Sequence, residues 1–546
     1  FTGAQQLINI LLLVCICFVF ISLLGRGIGG ILSVVLCLFI CITNYIKIVY
    51  HDSFFSWLDL FQAKELFLIG KEFITPLILA LIILAVVALC AVIFVFRKRI
   101  AGILKPKILP MQLAAALVFT ALMLIGIDKN TFANLNMFPR TWENVKVNVL
   151  NNGFVVNLWY DYKNVKNAKL KEPSDYSEKT AQNLNEEFIN QSDNRTDSNE
   201  QPTVIVILAE SLFDFDDMPG IVFSDDTDAT LDKYSGTKLI SPRYGGYTSA
   251  VEFEVLTGLT LALMPEGLTP YTTYFNNTND RFPSVPLCFK KNGYITKAVH
   301  PNLPAFYNRD KVYVQLGFDE FISIVDFADC TLDDKTVNGW VKDNALGDKI
   351  IEQIQSSDDP QFIFAITMEA HYVNQDKFDE PQIKVVSDEF GLDEKQINEL
   401  EQQAVSYKDT DEMIKKLIEY MDAEDKPILL YVFGDHLPPL TSFSKTGYLN
   451  DAYNKYTTRY VAYSNYKNIA TKDEYITTNQ IAAQVIIDSG IEHPAYFDYI
   501  FSLRDTMPVL HKEFIDINST DLETYKFIQY DIMFGDRYLY NCDWIK

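Results

Sequence analysis

The sequence predicts an α-helical transmembrane domain followed by an extracellular α/β domain with a mainly parallel central sheet. Three observations predict this. Four stretches without any charged side chain, residues 1–25, 27–46, 73–96 and 108–127, each come close to the ~20 residues that cross a bilayer. Residues 1–127 carry nine Lys and Arg against four Asp and Glu, although the whole chain has a net charge of −24. Beyond residue 202, short apolar runs alternate with amphipathic stretches, which is typical of strands joined by helices.

The composition excludes two classes of protein. Hydrophobic residues make up 49% of the 546-residue chain and concentrate at one end, which excludes a purely soluble cytoplasmic protein. The acidity argues against a nucleic-acid partner, because phosphate backbones repel acidic surfaces. Of the eight cysteines, five lie in the apolar stretches. The remaining three predict neither a disulfide framework nor a cysteine metal site.

The distribution of basic residues predicts the orientation in the membrane. Residues 97–107 contain five Lys and Arg and no acid, and Arg26 lies between the first two apolar stretches. The positive-inside rule places both in the cytoplasm, so the fourth span ends outside near Asp128 and the rest of the chain is extracytoplasmic. Phe1 then lies outside as well. We therefore expect one further span upstream.

Two segments that connect the predicted spans have patterns of their own. Residues 54–73 mix aromatic and leucine positions with charges, which fits an amphipathic helix on the outer membrane surface or a short ordered loop equally well. Residues 25–30 match the dinucleotide pattern GxGxxG. No soluble strand precedes them, so we interpret them as a tight turn between two helices.

Composition also predicts the domain boundaries. The transmembrane domain covers residues 1–127, and a partly helical connector covers 128–202. Its last part, 183–202, is rich in Asn, Gln, Asp, Glu and Ser and is predicted to be a solvated linker. The α/β domain covers 203–510, and a C-terminal extension, 511–546, is expected to pack on it.

Chemically active side chains follow four of the predicted strands. The clearest apolar runs are residues 203–209, 294–299, 362–368, 428–433 and 459–464. The residues that follow the first four of these are Glu210; His300; Glu369 and His371; and Asp435 and His436. Ligands of open α/β sheets bind beyond the carboxyl ends of the strands. One such residue is usually structural, whereas four strand ends together predict a site.

A hydroxyl nucleophile is predicted at Thr248. Two glycines precede it in the run Tyr244-Gly245-Gly246-Tyr247, and residues 248–257 have the pattern of a helix that Gly258 ends. Thr248 would then lie at a helix N-terminus, where free N–H groups favour an anion such as a phosphoryl group. The alternative is an ordinary helix cap.

The sequence also supplies ligands for a divalent cation. Glu210, Asp435 and His436, with Thr248 as a fourth, offer three oxygen donors and one imidazole. Mn²⁺ is favoured because most of these donors are hard, with Mg²⁺ and Zn²⁺ as alternatives. Taken singly, Glu210 could be a surface acid, and Asp435 and His436 a charged turn.

These residues resemble the lipoteichoic acid synthase family, membrane-anchored glycerol phosphate transferases of the alkaline phosphatase/sulfatase superfamily. The resemblance rests on residues 204–213 with Glu210, on Gly246-Tyr247-Thr248-Ser249 followed by Glu252-Phe253, and on Phe433-Gly434-Asp435-His436. It continues through Leu263-Met264-Pro265-Glu266-Gly267, Ala298-Val299-His300, Phe306-Tyr307-Asn308-Arg309 and Leu316-Gly317-Phe318-Asp319.

The resemblance implies a role for each residue. Thr248 is the nucleophile and joins Glu210, Asp435 and His436 on the metal. Arg309, His371, His300 and Tyr307 contact the substrate, and His371 could also act as general acid. The donor is phosphatidylglycerol in the membrane, and the acceptor is an envelope glycan or glycolipid. Tyr307 stands where the synthases commonly have tryptophan. Together with Leu437-Pro438-Pro439-Leu440, this indicates the branch that modifies glycans.

Three alternatives remain open at this point. A phosphoethanolamine transferase would share the threonine but usually uses zinc. A phosphatase or a sulfatase of the same superfamily is the second alternative. The sulfatase is disfavoured, because Ser241-Pro242-Arg243 lacks the spacing of the formylglycine element. A membrane sensor with an inactive domain would fail to bind metal.

Overall fold

We describe the protein from a computed structural model. The structure describes residues 3–51, 54–60, 114, 117–121, 124–126, 145–167, 169–191, 200–265, 268–275, 282–371, 376–469 and 473–541. The predicted third span, the basic loop 97–107 and most of the segment 54–73 lie outside these residues, as does part of the fourth span. Contacts divide the chain into two units, Phe1–Ala168 with Pro265–Leu268, and Lys169–Met264 with Thr269–Lys546.

The first unit begins with an apolar helical run, α1, Gly3–His51. It contains two segments long and apolar enough to cross a membrane, Gln5–Leu24 and Gly27–Tyr45. The Ser33 hydroxyl lies 3.4 Å from the Cys17 carbonyl oxygen, 16 residues earlier. A straight helix would separate the two by about 24 Å, so the chain reverses between them. This reversal agrees with the turn predicted at residues 25–30, although these residues are themselves helical. Gly29 permits the close approach, since a β-carbon there would lie 2.3 Å from the Phe20 carbonyl oxygen.

Two further helices of the first unit, α2 (Val145–Asn152) and α3 (Phe154–Asn167), form the helical part of the predicted connector. Asn9 of α1 joins them. Its amide donates to the Asn152 carbonyl at 2.8 Å, and its side-chain oxygen accepts the Val155 N–H at 2.9 Å. The helix that follows in the second unit, α4 (Glu178–Gln191), corrects the linker prediction, because residues 183–191 are helical. A polar composition does not prevent a helix, since Glu and Gln are good helix formers.

The second unit contains an eight-stranded sheet in the order β10-β3-β9-β8-β1-β6-β4-β5 and a separate pair, β2 with β7. The strands are β1 Thr203–Ala209, β2 Ile221–Phe223, β3 Ser235–Ile240, β4 Ile295–Val299, β5 Glu320–Ile322, β6 Gln361–Ile366, β7 Val385–Asp388, β8 Ile428–Gly434, β9 Thr457–Ser464 and β10 Tyr475–Thr477. All pairings in the large sheet are parallel except those of β9, which runs antiparallel to β3 and β8.

The remaining helices pack around this sheet. They are α5 Ala229–Tyr234, α6 Thr248–Thr257, α7 Val285–Lys291, α8 Arg309–Leu316, α9 Asp343–Gln355, α10 Glu394–Ala423, α11 Phe443–Thr446, α12 Thr478–Ser489, α13 Ala495–Thr506, α14 Glu523–Met533 and α15 Tyr538–Asn541. The predicted fold class, apolar N-terminal helices with a mainly parallel α/β domain, is confirmed.

β1 lies at the centre of the large sheet because its residues are apolar on both faces. All seven of its residues are buried, and it pairs in parallel with β6 on one side and β8 on the other. Strands covered on both faces are expected to be rich in valine and isoleucine, as β1 is. The carboxyl ends of β8, β1, β6 and β4 therefore lie side by side along one edge of the sheet.

Candidate active site

Three ligands from two neighbouring strands meet at this edge. Glu210 follows β1, and Asp435 and His436 follow β8; all three are buried. Their potential ligand atoms lie within 4.8 Å of one another. His436 Nε2 is 3.5 Å from Glu210 Oε1 and 3.2 Å from Asp435 Oδ2. The residues that the sequence proposed as ligands, 225 positions apart, are thus brought together by the pairing of β1 with β8.

The end of β8 can approach β1 this closely because Gly434 has no side chain. A β-carbon at Gly434 would lie 2.1 Å from the Leu212 carbonyl oxygen, which follows β1. A larger residue would push the two strand ends apart. The Thr458 hydroxyl of β9 donates to the Gly434 carbonyl at 2.9 Å and fixes the same peptide from the other side.

The three ligands fit a divalent cation. Among the described residues, neither Asp435 Oδ2 nor His436 Nε2 has a hydrogen-bond partner, although both are buried. His436 Nδ1 lies 3.0 Å from the Leu437 carbonyl oxygen, so it carries the proton and leaves the Nε2 lone pair directed at the two carboxylates. Buried polar atoms without a partner require an explanation, and an ion among them would supply one. Two carboxylates and one imidazole suit Mn²⁺ or Zn²⁺.

Thr248 lies where it was predicted, at the first residue of α6. The helix spans Thr248–Thr257 and ends at Gly258, whose left-handed φ of 73° stops it. The Thr248 hydroxyl is 3.4 Å from Glu210 Oε2 and also interacts with the Asp435 carboxylate. Tyr247 precedes it with φ 68°, a left-handed conformation that costs a non-glycine residue energy. This turn presents the hydroxyl to the ligand cluster.

The local charges favour a bound cation. Burial raises the pKa of Asp435, and the nearby Glu210 carboxylate raises it further. Both effects arise because two carboxylates share one dry site. A divalent ion between them would remove the repulsion and hold both groups ionised.

Arg309 forms the second charged feature of the site. Its guanidinium is buried and paired with the equally buried Glu252, with Nε at 3.1 Å and 3.2 Å from the two carboxylate oxygens and Nη2 at 2.5 Å from Oε1. The Tyr313 hydroxyl donates to Glu252 at 2.8 Å. Within the described chain, Nη1 has no hydrogen-bond partner. Arg309 therefore keeps one buried donor for an anion.

Glu252 links Arg309 to the helix that begins at Thr248. It lies four residues after Thr248 on α6, and residues four apart share one face of a helix. The ion pair thus holds the guanidinium against a residue of the helix that begins at Thr248. Burial lowers the pKa of Arg309, but Glu252 outweighs this effect, so the guanidinium stays charged.

A strained turn aims Arg309. Tyr307 and Asn308 both have φ 56°, so two consecutive non-glycine residues are left-handed immediately before α8 begins at Arg309. The guanidinium carbon lies 5.2 Å from the centre of the Tyr307 ring and 6.0 Å from that of Phe306. Stacking of this kind is a cation–π contact. Tyr307 thus lies beside Arg309, and its role as a substrate contact stays a prediction.

The two predicted histidines lie near the same group of residues. His300, after β4, is buried with Nδ1 3.2 Å from the Ile366 carbonyl oxygen. Burial lowers its pKa well below the usual value, and Arg309 lowers it further. Burial, then His436, lowers the pKa of His371 to about 3. His371 is therefore near the metal ligands, and both rings are neutral at neutral pH.

Two residues of the site were not identified from the sequence. Glu252 was noted beside Thr248 but not as the partner of Arg309, although an acid in an otherwise apolar helix face was a signal. Ser211 carried no signal, because its contacts depend on the pairing of β1 with β8. Its hydroxyl donates to Glu210 at 2.9 Å and its N–H donates to Asp435 at 2.8 Å.

Similarity to known proteins covers most of the α/β domain. The "Putative cyclic beta-1,2-glucan modification protein" of Rhizobium meliloti (strain 1021) is 32% identical over 369 residues, which is 62% of this chain and 56% of that protein. Lipoteichoic acid synthase 1 of Bacillus subtilis (strain 168) is 26% identical over 182 residues, covering 32% of this chain and 26% of the synthase. The chain thus spans about half the length of the first relative and a quarter of the second.

The solved structures agree on the fold. The phosphoglycerol transferase GacH of Streptococcus pyogenes, in complex with sn-glycerol-1-phosphate, superposes with a TM-score of 0.61 at 24% identity, covering 69% of this chain and 99% of that one. The resemblance to lipoteichoic acid synthases that the motifs indicated is confirmed. The model of the family described as Sulfatase matches residues 202–487, more than half of the chain and the part that holds all the site residues above. The chain therefore belongs to the sulfatase family.

Proposed function

We propose that this chain is a membrane-anchored, metal-dependent transferase that moves glycerol phosphate from phosphatidylglycerol to an envelope glycan or a teichoic-acid-type acceptor. The observation that carries the proposal is the buried cluster of Glu210, Asp435 and His436, with the Thr248 hydroxyl 3.4 Å from Glu210. In the part of the chain that the structure describes, two atoms of this cluster, Asp435 Oδ2 and His436 Nε2, have no hydrogen-bond partner. Arg309 is paired with Glu252 on the helix that begins at Thr248, and its Nη1, which has no hydrogen-bond partner among the described residues, suits a phosphate oxygen.

The chemistry follows from this arrangement. The Thr248 oxygen attacks the phosphorus of the lipid and gives up its proton, the bond from phosphorus to the diacylglycerol oxygen breaks, and diacylglycerol leaves with one proton. The glycerophosphoryl group remains on Thr248. An acceptor hydroxyl then attacks the same phosphorus and gives up its proton, the bond from phosphorus to the Thr248 oxygen breaks, and that oxygen takes up a proton. A bound divalent cation would lower the pKa of the hydroxyl and offset the charge that develops on phosphorus.

Proton transfer to the departing diacylglycerol oxygen is assigned to His371. Its low pKa leaves the ring neutral before the substrate binds. The negative charge of a bound phosphate raises the pKa of a neighbouring imidazole, which would then hold a proton for the leaving group. His300 and Tyr307 are assigned to the glycerol headgroup.

Location and acceptor complete the proposal. The donor is a membrane lipid, and the chain carries two segments able to span a bilayer. We place the α/β unit outside the cell on a multi-pass anchor, following the basic residues of the predicted inner loops. A neutral glycan acceptor is favoured by the net charge of −24, which disfavours a polyphosphate chain, and by the name of the Rhizobium meliloti relative.

The test is release of diacylglycerol from fluorescent phosphatidylglycerol by the full chain in detergent with Mn²⁺. We expect wild type to release it and Thr248→Ala to lose at least about a thousandfold in rate, because the covalent route is gone. Thr506→Ala, at an exposed threonine that ends α13, is the matched control and should keep wild-type activity.

Two results would contradict the proposal. Equal release of diacylglycerol by wild type and Thr248→Ala would show that Thr248 is not the nucleophile. Consumption of phosphatidylethanolamine but not phosphatidylglycerol would favour the phosphoethanolamine transferase. Mass analysis of envelope glycans from cells with and without the protein would then identify the acceptor.

A further inference from the structure

Ser211 has an unusual backbone for a residue in its position. It follows the proposed metal ligand Glu210 directly, is 3% exposed, and has φ 58°, in the left-handed region that few residues other than glycine adopt. A strained residue of this kind persists only where its surroundings hold it. Here they do, because the hydroxyl of the completely buried Tyr407, on helix α10, donates to the Ser211 carbonyl.

The strained conformation lets Ser211 contact both carboxylates of the cluster. Its hydroxyl donates to Glu210 Oε1 at 2.9 Å, and its N–H donates to Asp435 Oδ1 at 2.8 Å. The His436 N–H donates to the same Oδ1 at 2.9 Å. With two donors on Oδ1, the other oxygen of Asp435, Oδ2, is left facing His436 Nε2. Ser211 thus connects the ends of β1 and β8 and determines which carboxylate oxygen is available.

We infer that Ser211 is a positioning residue that holds Glu210 and Asp435 in the geometry a divalent cation needs. The inference rests on the proposed function, because it takes these residues as the ligands. Groups that orient metal ligands through hydrogen bonds commonly change affinity 10- to 100-fold when they are removed, about the range expected here.

The test measures Mn²⁺ affinity of the full chain in detergent, from the electron paramagnetic resonance signal of free Mn²⁺. We expect Ser211→Ala, which loses the hydroxyl, to bind about tenfold more weakly. Ser211→Gly also loses the hydroxyl, and because glycine adopts a left-handed φ without strain, this variant should fold readily and bind about tenfold more weakly as well. The rise in melting temperature on adding Mn²⁺ should shrink in both variants, which a purely structural role would not cause.

Ser489→Ala is the matched control. Ser489 is a buried serine that donates only to the Ile486 carbonyl near the end of α12. Its variant should bind Mn²⁺ within twofold of wild type.

The outcomes separate the two proposals. If wild type binds one Mn²⁺ and both Ser211 variants bind within twofold of it, the role of Ser211 is wrong and the metal site stands. If wild type binds no Mn²⁺ and Asp435→Ala behaves identically, the metal site is wrong and the role of Ser211 is wrong with it.

Discussion

Glu252 determines which guanidinium nitrogen of Arg309 is available to a substrate. A guanidinium buried without an acid would be costly, and an acid that occupied all its donors would leave none for a substrate. Glu252 contacts Nε and Nη2 and leaves Nη1. Glu252 lies on the helix that begins at Thr248, so the ion pair connects the arginine to the element that carries the threonine.

We predict that Glu252→Gln will weaken both stability and substrate binding. Gln keeps the shape but removes the charge, and loss of one partner of a buried ion pair costs about 3 kcal/mol of unfolding free energy. The KM for phosphatidylglycerol should rise on the order of tenfold, with a smaller change in kcat, because Arg309 loses its fixed orientation. Thermal unfolding and steady-state kinetics measure the two effects.

The control is an exposed pair. Glu523 lies 2.7 Å from Lys526 on the surface of α14, and Glu523→Gln should change stability by no more than about 0.5 kcal/mol. An unchanged KM in Glu252→Gln would show that Arg309 does not depend on its acid.

Among the helices and strands, those whose pattern is local were predicted well. The helix at residues 248–257 and the strand at 203–209 have the bounds expected from the sequence. The antiparallel direction of β9 was not visible, because an apolar run has the same composition in either direction. The clustering of Glu210, Asp435 and His436 at the strand ends followed from sheet geometry, and their role as metal ligands stays a prediction. The partners Glu252 and Ser211 did not follow from sheet geometry, because they arise only when distant segments pack.

A hydrogen-bonded pair at the start of α13, His493 with Asp498, predicts how stability depends on pH. His493 Nε2 lies 3.2 Å from Asp498, and Nδ1 lies 2.8 Å from the Ile491 carbonyl oxygen. Burial alone would lower the pKa of His493, but the hydrogen bonds to Asp498 and Ile491 outweigh it and raise the pKa. The stabilisation is therefore complete below about pH 6.5, the unfolded pKa, and is lost as pH rises through the folded pKa.

We expect the difference in melting temperature between wild type and His493→Asn to be larger at pH 5.5 than at pH 8.5. His511→Asn provides a comparison of opposite sign. Burial lowers the pKa of His511 to about 4. The contribution of His511 to folding stability is therefore present above about pH 6.5 and is lost as the pH falls through the folded pKa of about 4. Parallel pH profiles for the two variants would contradict both assignments. Differential scanning fluorimetry is the measurement.

Taken as a whole, the chain joins an apolar, basic N-terminal part to a strongly acidic α/β unit, and our proposal places the latter outside the cell. Two cysteines of that unit can test this. Cys330 is partly exposed, whereas Cys288 is buried, and burial raises the pKa of its thiol to about 12.

We predict that a membrane-impermeant maleimide will label Cys330 in intact protoplasts to the same extent as after lysis. Cys288 should react only after denaturation, because a buried thiol with a raised pKa is unreactive. Mass spectrometry of the two peptides reads out the result. Labelling of Cys330 only after lysis would place the α/β unit in the cytoplasm.

The pairing of β1 with β6 and β8 also has a consequence for biogenesis. β1 is made early, but its neighbours follow much later in the chain. The first paired position of β6, Phe362, is 158 residues after Val204, and that of β8, Ile428, is 225 residues after Thr203. Contacts this distant form late and slowly. Under the proposed function, a nascent chain therefore carries Thr248 long before Asp435 and His436 are made, and the proposed site would be incomplete until translation has passed residue 436.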